Sequence, residues 1–280
     1  MRFYLVSIFF LLLILLLSCS RKEAVKYIPD NSEDIPRISA DLSANEPFIS
    51  ILPAIFQAAE IPANLSRAIQ EDLSVNPGFI LDLLGILRGD PYLRLLVDKR
   101  HSLPQNYAPG DLVELRDGSY RISRASLMLR REAAAALDEM AAAARTAGHT
   151  LVASSSYRSY NYQSEVYDRN VREMGQQAAD MESARPGTSQ HQLGLALDFG
   201  SIDDSFAQTG ESRWLAANAS RFGWSLSYPS GYEEVTGYRW ESWHYRYVGR
   251  DLAVFIENYF GGIQQYALRF IYEWERQTDS

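Results

Sequence analysis

Lysine is almost absent from this 280-residue chain. It occurs only as Lys22, Lys26 and Lys99, and every other cationic side chain is arginine. A Ser-x-x-Lys acylation motif is thereby excluded, because Cys19, Glu23 and Leu96 stand three residues before those lysines. Cysteine occurs once, at Cys19, so the chain has no internal disulfide and no thiolate cage for a metal. No basic tract exists that could neutralise a run of phosphates. With 35 acidic against 27 basic residues and a net charge of −8, nucleic acid is not an expected partner. No histidine is followed by glutamate, so the helical His-Glu-x-x-His metal motif is missing as well. What is present is globular: 46% hydrophobic and 12% aromatic residues, enough for one sizeable domain with an appendage, or for two domains.

The opening residues read as an address. Met1 and Arg2 precede an apolar run from Phe3 to Leu17 that only Ser7 interrupts. At about 1.5 Å per residue this run is too short to cross a hydrocarbon core of roughly 30 Å, and it fits a signal-peptide core better. Leu16-Leu17-Ser18-Cys19 resembles a bacterial lipobox, with Cys19 as the lipidated residue. Residues 1–18 are therefore expected to be a lipoprotein signal peptide. The mature protein would be exported and anchored in a membrane through Cys19, facing the periplasm or cell-wall space. Residues 19–46, polar and proline-punctuated, read as a flexible tether. Residues 47–91 carry helical patterning with breaks at Pro53, Pro62, Pro77 and Pro91, and Ile80, Leu83, Leu84 and Leu87 share one helix face.

Residues 92–280 have a different texture. The Ala-rich stretch 127–146 predicts a helix, as do 160–182, 211–222 and 251–275. Residues 150–156, 193–199 and 243–248 predict strands. Helices and short strands mix without regular βαβ repetition, which points to an α+β domain.

Three segments carry polar residues suited to chemistry. In Ser189-Gln190-His191-Gln192-Leu193-Gly194-Leu195-Ala196-Leu197-Asp198, alternation along a strand would give a leucine face and a face of small residues ending in a carboxylate. His191 has the wrong parity for that face, so a bend before Leu193 must re-aim it. Alone, the segment suits a metal site and a hydrogen-bonded core equally. Trp240-Glu241-Ser242-Trp243-His244-Tyr245 sets a Glu and a His three apart among aromatics, which also fits an aromatic core strand. Ser154 to Gln163 links a strand to a helix and carries Arg158, a fixed cation whose fork suits a carboxylate but which could equally be solvated. Counting narrows these options. The chain has four histidines, at 101, 149, 191 and 244. Catalytic zinc takes three N/O/S ligands and keeps one position open. His191, Asp198 and His244 form the most economical trio, with Glu241 left over as a general base.

Together, Ser-x-His-x-x-Gly-x-Ala-x-Asp at 189–198, Glu-x-Trp-His at 241–244 and Tyr-Arg-Ser-x-x-x-Gln at 157–163 resemble the VanY-type D-alanyl-D-alanine carboxypeptidases, a zinc peptidase family. The stretch from Leu96 to Pro104 resembles that family's domain opening, and the likeness spans about residues 92–262. It implies a Hedgehog/D,D-peptidase-like fold with a central antiparallel sheet, preceded here by a small helical segment. It implies one Zn2+ on His191, Asp198 and His244, and Glu241 as general base. Arg158 would steady the oxyanion, Ser189 and Gln163 would contact the terminal D-residue, and Trp243 would wall the pocket. His101 would be structural. The substrate would be the peptidoglycan stem peptide, cut at its last D-alanine. The alternatives are L,D-carboxypeptidase action on tetrapeptides, endopeptidase action, and a non-catalytic murein-binding lipoprotein.

Overall fold

The computed structural model describes residues 46–278. The expected signal peptide, Cys19 and nearly all of the expected tether lie outside the described residues. Among the described residues no helix is long and apolar enough to cross a membrane.

Three helices open the described chain: α1 (Glu46–Ala58), α2 (Ala63–Leu73) and α3 (Gly78–Arg88). Pro62 and Pro77 stand immediately before α2 and α3, where a missing N–H costs nothing. Pro53, expected as a break, instead lies inside α1. Leu52, Ile55 and Phe56 beside it are buried, and that packing outweighs one lost backbone hydrogen bond. The patterned residues Ile80, Leu83 and Leu84 of α3 are all buried.

The α+β part follows. A two-stranded antiparallel ribbon joins β1 (Leu112–Glu114) to β3 (Met128–Arg130). The main sheet contains β2 (Arg121–Ile122), β4 (Val152–Ser155), β5 (Ala196–Phe199), β6 (Trp224–Leu226) and β7 (His244–Tyr247), in the order β2-β4-β5-β7-β6. It is antiparallel except for the parallel pairing of β2 with β4. The helices around it are α4 (Arg131–Thr146), α5 (Tyr160–Met174), α6 (Gln176–Glu182), α7 (Gly210–Asn218) and α8 (Glu233–Thr236), and α9 (Arg250–Phe260) and α10 (Gln264–Thr278) end the chain.

Several expected boundaries move. The Ala-rich helix starts only at Arg131, because Met128–Arg130 pairs with β1. The expected helix 160–182 breaks at Gly175, whose φ of 84° suits glycine. The helix at 211–222 tightens into a 3-10 turn from Ala219, and the one at 251–275 is split by Gly261 and Gly262. The strand at 193–199 begins only at Ala196, and β5 is buried on both faces rather than having one open face. Gly194 is not on the floor of the site. It takes a left-handed conformation with Leu112, Arg130 and Pro109 closing on its missing side chain.

Among the described residues, two large apolar clusters form the core, with a small third one of Ala184, Tyr228 and Tyr238. One packs β5, β6 and β7 against α4 and α7. The other combines α1–α3 with α9 and α10, so the N-terminal helical segment shares its core with the chain's last helices. Phe79, fully buried, is its hub and contacts the rings of Phe56, Phe255, Tyr259, Phe260 and Phe270. Buried polar contacts add to this packing. Arg246 of β7 is fully buried and donates to the carbonyls of Leu93 and Leu95 at 3.0 and 2.9 Å. Asp98 accepts from Gln265 of α10 at 2.6 Å and from His101 Nδ1 at 2.8 Å. Burial alone would raise the Asp98 carboxyl, but hydrogen bonds from His101 and neighbouring backbone amides bring it below its usual value. His101 thus fastens the domain opening to α10 and stands apart from the candidate metal group.

Candidate metal centre

Residues 189–192 form a compact device. Ser189 caps a 3-10 turn (Gln190–Leu193) by accepting from His191 N–H, and left-handed Gly194 ends it. The turn supplies the bend that His191 needs to reach the sheet face carrying Asp198. Each neighbour then has its own task. Gln192 is fully buried and donates to the carbonyls of Pro104 and Tyr107. Gln190 faces His244.

Asp198 and His244 are direct cross-strand partners on β5 and β7, so their side chains share one face. Among the described residues, the group of His, Cys, Asp and Glu able to hold a metal is His191, Asp198 and His244, with one ligand atom from each within 4.8 Å of the others. His191 Nε2 lies 3.3 Å from Asp198 Oδ2, and His244 Nδ1 lies 3.1 Å from Asp198 Oδ1. The two rings meet edge to face at 4.8 Å. Glu241 reaches within 3.5 Å of His244 Nδ1 from the tight turn that donates His244 N–H to its carbonyl.

The outer ring nitrogens set the tautomers. His191 Nδ1–H donates to the Ser156 carbonyl at 2.8 Å. His244 Nε2–H donates to Gln190 Oε1 at 3.2 Å. Each neutral imidazole therefore aims a lone pair inward, toward the carboxylate. Nitrogen lone pairs and carboxylate oxygens repel at such distances unless a cation lies between them. His191 Nε2 and Asp198 Oδ1 are buried without a hydrogen-bond partner. This donor set of two imidazole nitrogens and one carboxylate fits a single divalent cation with an open side.

Electrostatics follow from burial. Desolvation first, then the Arg158 charge, lowers the His191 pKa to about 4, which keeps the ring neutral and able to ligate. Desolvation alone would raise the Asp198 carboxyl, and only positive charge or hydrogen-bond donation reaching it from the ring side brings it below the usual range. Glu241 is pushed well above its ordinary value, by burial first and by Asp198 second. A proton-accepting carboxylate of raised basicity next to a metal-ligand set is suited to general-base work.

The cavity over these residues measures about 330 Å³, and Arg158, Gln163, Ser189, Glu241 and Trp243 all line it. Arg158 lies 3.8 Å from Asp198 Oδ2 and donates to Gln163 Oε1 at 3.0 Å. Its Nε is buried and unpartnered, and burial lowers its pKa. Gln163 is fully buried and donates from Nε2 to the Ala184 carbonyl at 2.7 Å. Both ends of its amide are engaged within the protein, and its oxygen braces Arg158. Trp243 carries the Arg239 guanidinium over its ring at 5.4 Å.

Sequence reasoning missed three residues here. Tyr228 packs its ring 4.7 Å from that of His244. Gln190 and Gln264 form a buried amide relay behind the same histidine. Gln190 Oε1 also accepts from Ser227 Oγ at 2.7 Å, Gln190 Nε2 donates to Gln264 Oε1 at 3.1 Å, and Gln264 Nε2 donates to the Ser225 carbonyl at 3.2 Å. The position of Gln190 beside His191 was a usable signal. Gln264, on α10, had none.

Fold and site define a class: an α+β metallohydrolase with a candidate two-His, one-Asp ligand set and a glutamate beside it. Residues 126–250 match the family model described as VanY, D-alanyl-D-alanine carboxypeptidase. Bacillus subtilis YodJ, a carboxypeptidase by name, is 36% identical over 186 residues, which is 64% of this chain and 68% of YodJ. A D-alanyl-D-alanine carboxypeptidase of Enterococcus faecalis is 34% identical over 57% of this chain and 59% of its own length. Among solved structures, the LD-carboxypeptidase LdcB aligns with a TM-score of 0.54 and 37% identity, covering 60% of this chain and 85% of LdcB. A VanY D,D-pentapeptidase in complex with Zn(II) aligns at 0.53 and 33%, covering 63% of this chain and 99% of VanY. The chain belongs to the VanY family of carboxypeptidases.

Two outcomes test this geometry. Gln190→Leu should weaken metal binding by about 10- to 100-fold, the usual effect of losing the hydrogen-bond partner of a ligating histidine; competition with a chelator measures it. In the metal-free protein, a Glu241 pKa raised above its unfolded value contributes stability below the unfolded pKa that is lost as pH rises through the folded pKa. Glu241→Gln should therefore raise the melting temperature of metal-free protein more at pH 8 than at pH 4, by scanning calorimetry.

Proposed function

We propose that this chain is a zinc-dependent carboxypeptidase that removes the C-terminal D-alanine from peptidoglycan stem peptides. The observation that carries the reading is the convergence of two imidazole lone pairs and a buried carboxylate at 3.1–3.3 Å, with the raised carboxyl of Glu241 beside them. When bound there, zinc supplies Lewis acidity that polarises a carbonyl and acidifies water. Glu241 accepts a proton from the attacking water and returns it to the amine of the departing D-alanine. Arg158, held by Gln163, donates to the carbonyl oxygen as negative charge builds on it. Ser189 and Trp243 border the space for the leaving residue. The bond broken is the last peptide bond, and water supplies the hydroxyl and the proton of the two products.

A second reading is L,D-carboxypeptidase action, favoured by the likeness to LdcB. Mass spectrometry of tetra- and pentapeptide muropeptides after digestion separates the two readings. Chelation should abolish turnover and added zinc restore it, while β-lactams have no effect. Glu241→Gln should retain zinc and lose about 10²- to 10⁴-fold in kcat. Near-normal turnover by that variant, or by metal-free enzyme, would remove the basis of the mechanism.

We further propose that Cys19 carries a lipid anchor and that the catalytic domain faces the periplasm or cell-wall space. The lipobox-like Leu16-Leu17-Ser18-Cys19 supports this reading. Cys19→Ser expressed in a bacterial host should move from the membrane to the soluble fraction on centrifugation, whereas retention in the membrane would refute it.

A further inference from the structure

The cavity does not end at the metal ligands. One of its walls is a face of α5, where Gln163, Val166, Arg169 and Asn170 recur at helical spacing. Gln163 supports Arg158 at the catalytic end. Arg169 lies six residues further along, about 9 Å by the helical rise. Ser154 and Ser155 of β4 also line the cavity, with Arg124 from the segment after β2. Arg124 and Arg169 are both exposed, and neither makes an ion pair or a hydrogen bond among the described residues.

The net charge is −8, and the other arginines lining or bordering the site are engaged: Arg158 by Gln163, and Arg239 by Glu182 and Asp204. Two guanidiniums without an ion-pair partner thus line the same cavity as the candidate metal group. The metal ligands and Glu241 make the inner end acidic. An extended peptide running along α5 from its Gln163 end would cover that 9 Å in two or three residues, since extended chain advances about 3.3 Å per residue.

Resting on the carboxypeptidase reading above, we infer that Arg124 and Arg169 form an upstream subsite that binds a free carboxylate carried by the substrate peptide two or three residues before the scissile bond. The planar fork of arginine matches a carboxylate with two parallel hydrogen bonds. The subsite would make the enzyme sensitive to amidation of that substrate carboxyl, which removes the charge and leaves the shape almost unchanged.

The test separates binding from turnover. The probes are two synthetic peptides ending in D-Ala-D-Ala, identical except that a glutamate-type residue two positions before the terminal dipeptide carries either a free carboxyl or a carboxamide. Calorimetry on zinc-loaded Glu241→Gln protein gives their affinities. The free acid should bind about tenfold more tightly than the amide, consistent with one charge-assisted contact. Adding Arg124→Gln and Arg169→Gln should bring the ratio close to one. Adding Arg116→Gln, at an exposed arginine outside the cavity lining, should leave the ratio unchanged. Equal affinities in the parent, no binding of either peptide, or a preference that survives loss of both arginines would overturn the subsite. Hydrolysis of the same peptides by the unsubstituted enzyme tests the carboxypeptidase reading separately, because the affinity ratio does not depend on turnover.

Discussion

Two carboxylates, a guanidinium and two imidazoles share one largely buried cluster, and the rest of the architecture answers to that concentration of charge. Removing ionised groups from water costs several kcal/mol each unless opposite charge or hydrogen bonds replace the lost hydration. Asp198 and Glu241 cannot both be ionised so close together without a compensating cation. Arg158 supplies one positive charge, held back at 3.8 Å from Asp198. The outward hydrogen bonds of His191 and His244 deny the carboxylate any inward N–H. A divalent cation resolves this arrangement better than protons would, because it can meet all three donors at once. In its absence, burial shifts the load onto Glu241, whose raised affinity for a proton is the same property that a general base needs.

The helical segment that precedes the catalytic fold acquires a role from this view. Its core is continuous with α9 and α10. From α10, Gln264 extends the amide relay that orients His244, and the adjacent Gln265 fixes Asp98. Packing among Phe79, Phe255 and Phe270 therefore bears on the placement of a metal ligand through two hydrogen bonds. Arg246, two residues past His244 on β7, ties the same strand to the 93–95 segment. The strand bearing the second histidine is thus held from both the helical and the sheet side.

Much of the site was legible from residue type and spacing. Four histidines and no spare thiol left few ligand sets, and parity along 193–199 already required a bend at His191. The fold was legible in outline only. The α+β texture and the buried face of α3 followed from periodicity, yet β1, β2 and β6 were invisible because strands of two or three residues carry too little pattern. Boundaries failed where glycine breaks a helix, at Gly175 and Gly261, and where pairing with a distant strand overrides helix propensity, at Met128–Arg130. Pro53 failed in the opposite sense, because packing on both sides of it outweighed a local rule.

The sequence by itself determined which groups could do chemistry. The near absence of lysine, the single cysteine and the three short motifs leave a metal-assisted hydrolase as the economical solution. Tertiary structure decided everything that depends on direction: which nitrogen of each imidazole faces inward, that Gln163 braces Arg158, that Gln264 stands behind His244, and that Arg124 and Arg169 face one cavity. Those facts depend on side chains 5 to 74 residues apart meeting at about 3 Å, or on distant walls enclosing one space. Strand register and helix packing set such meetings, and neither is written in any local run of residues.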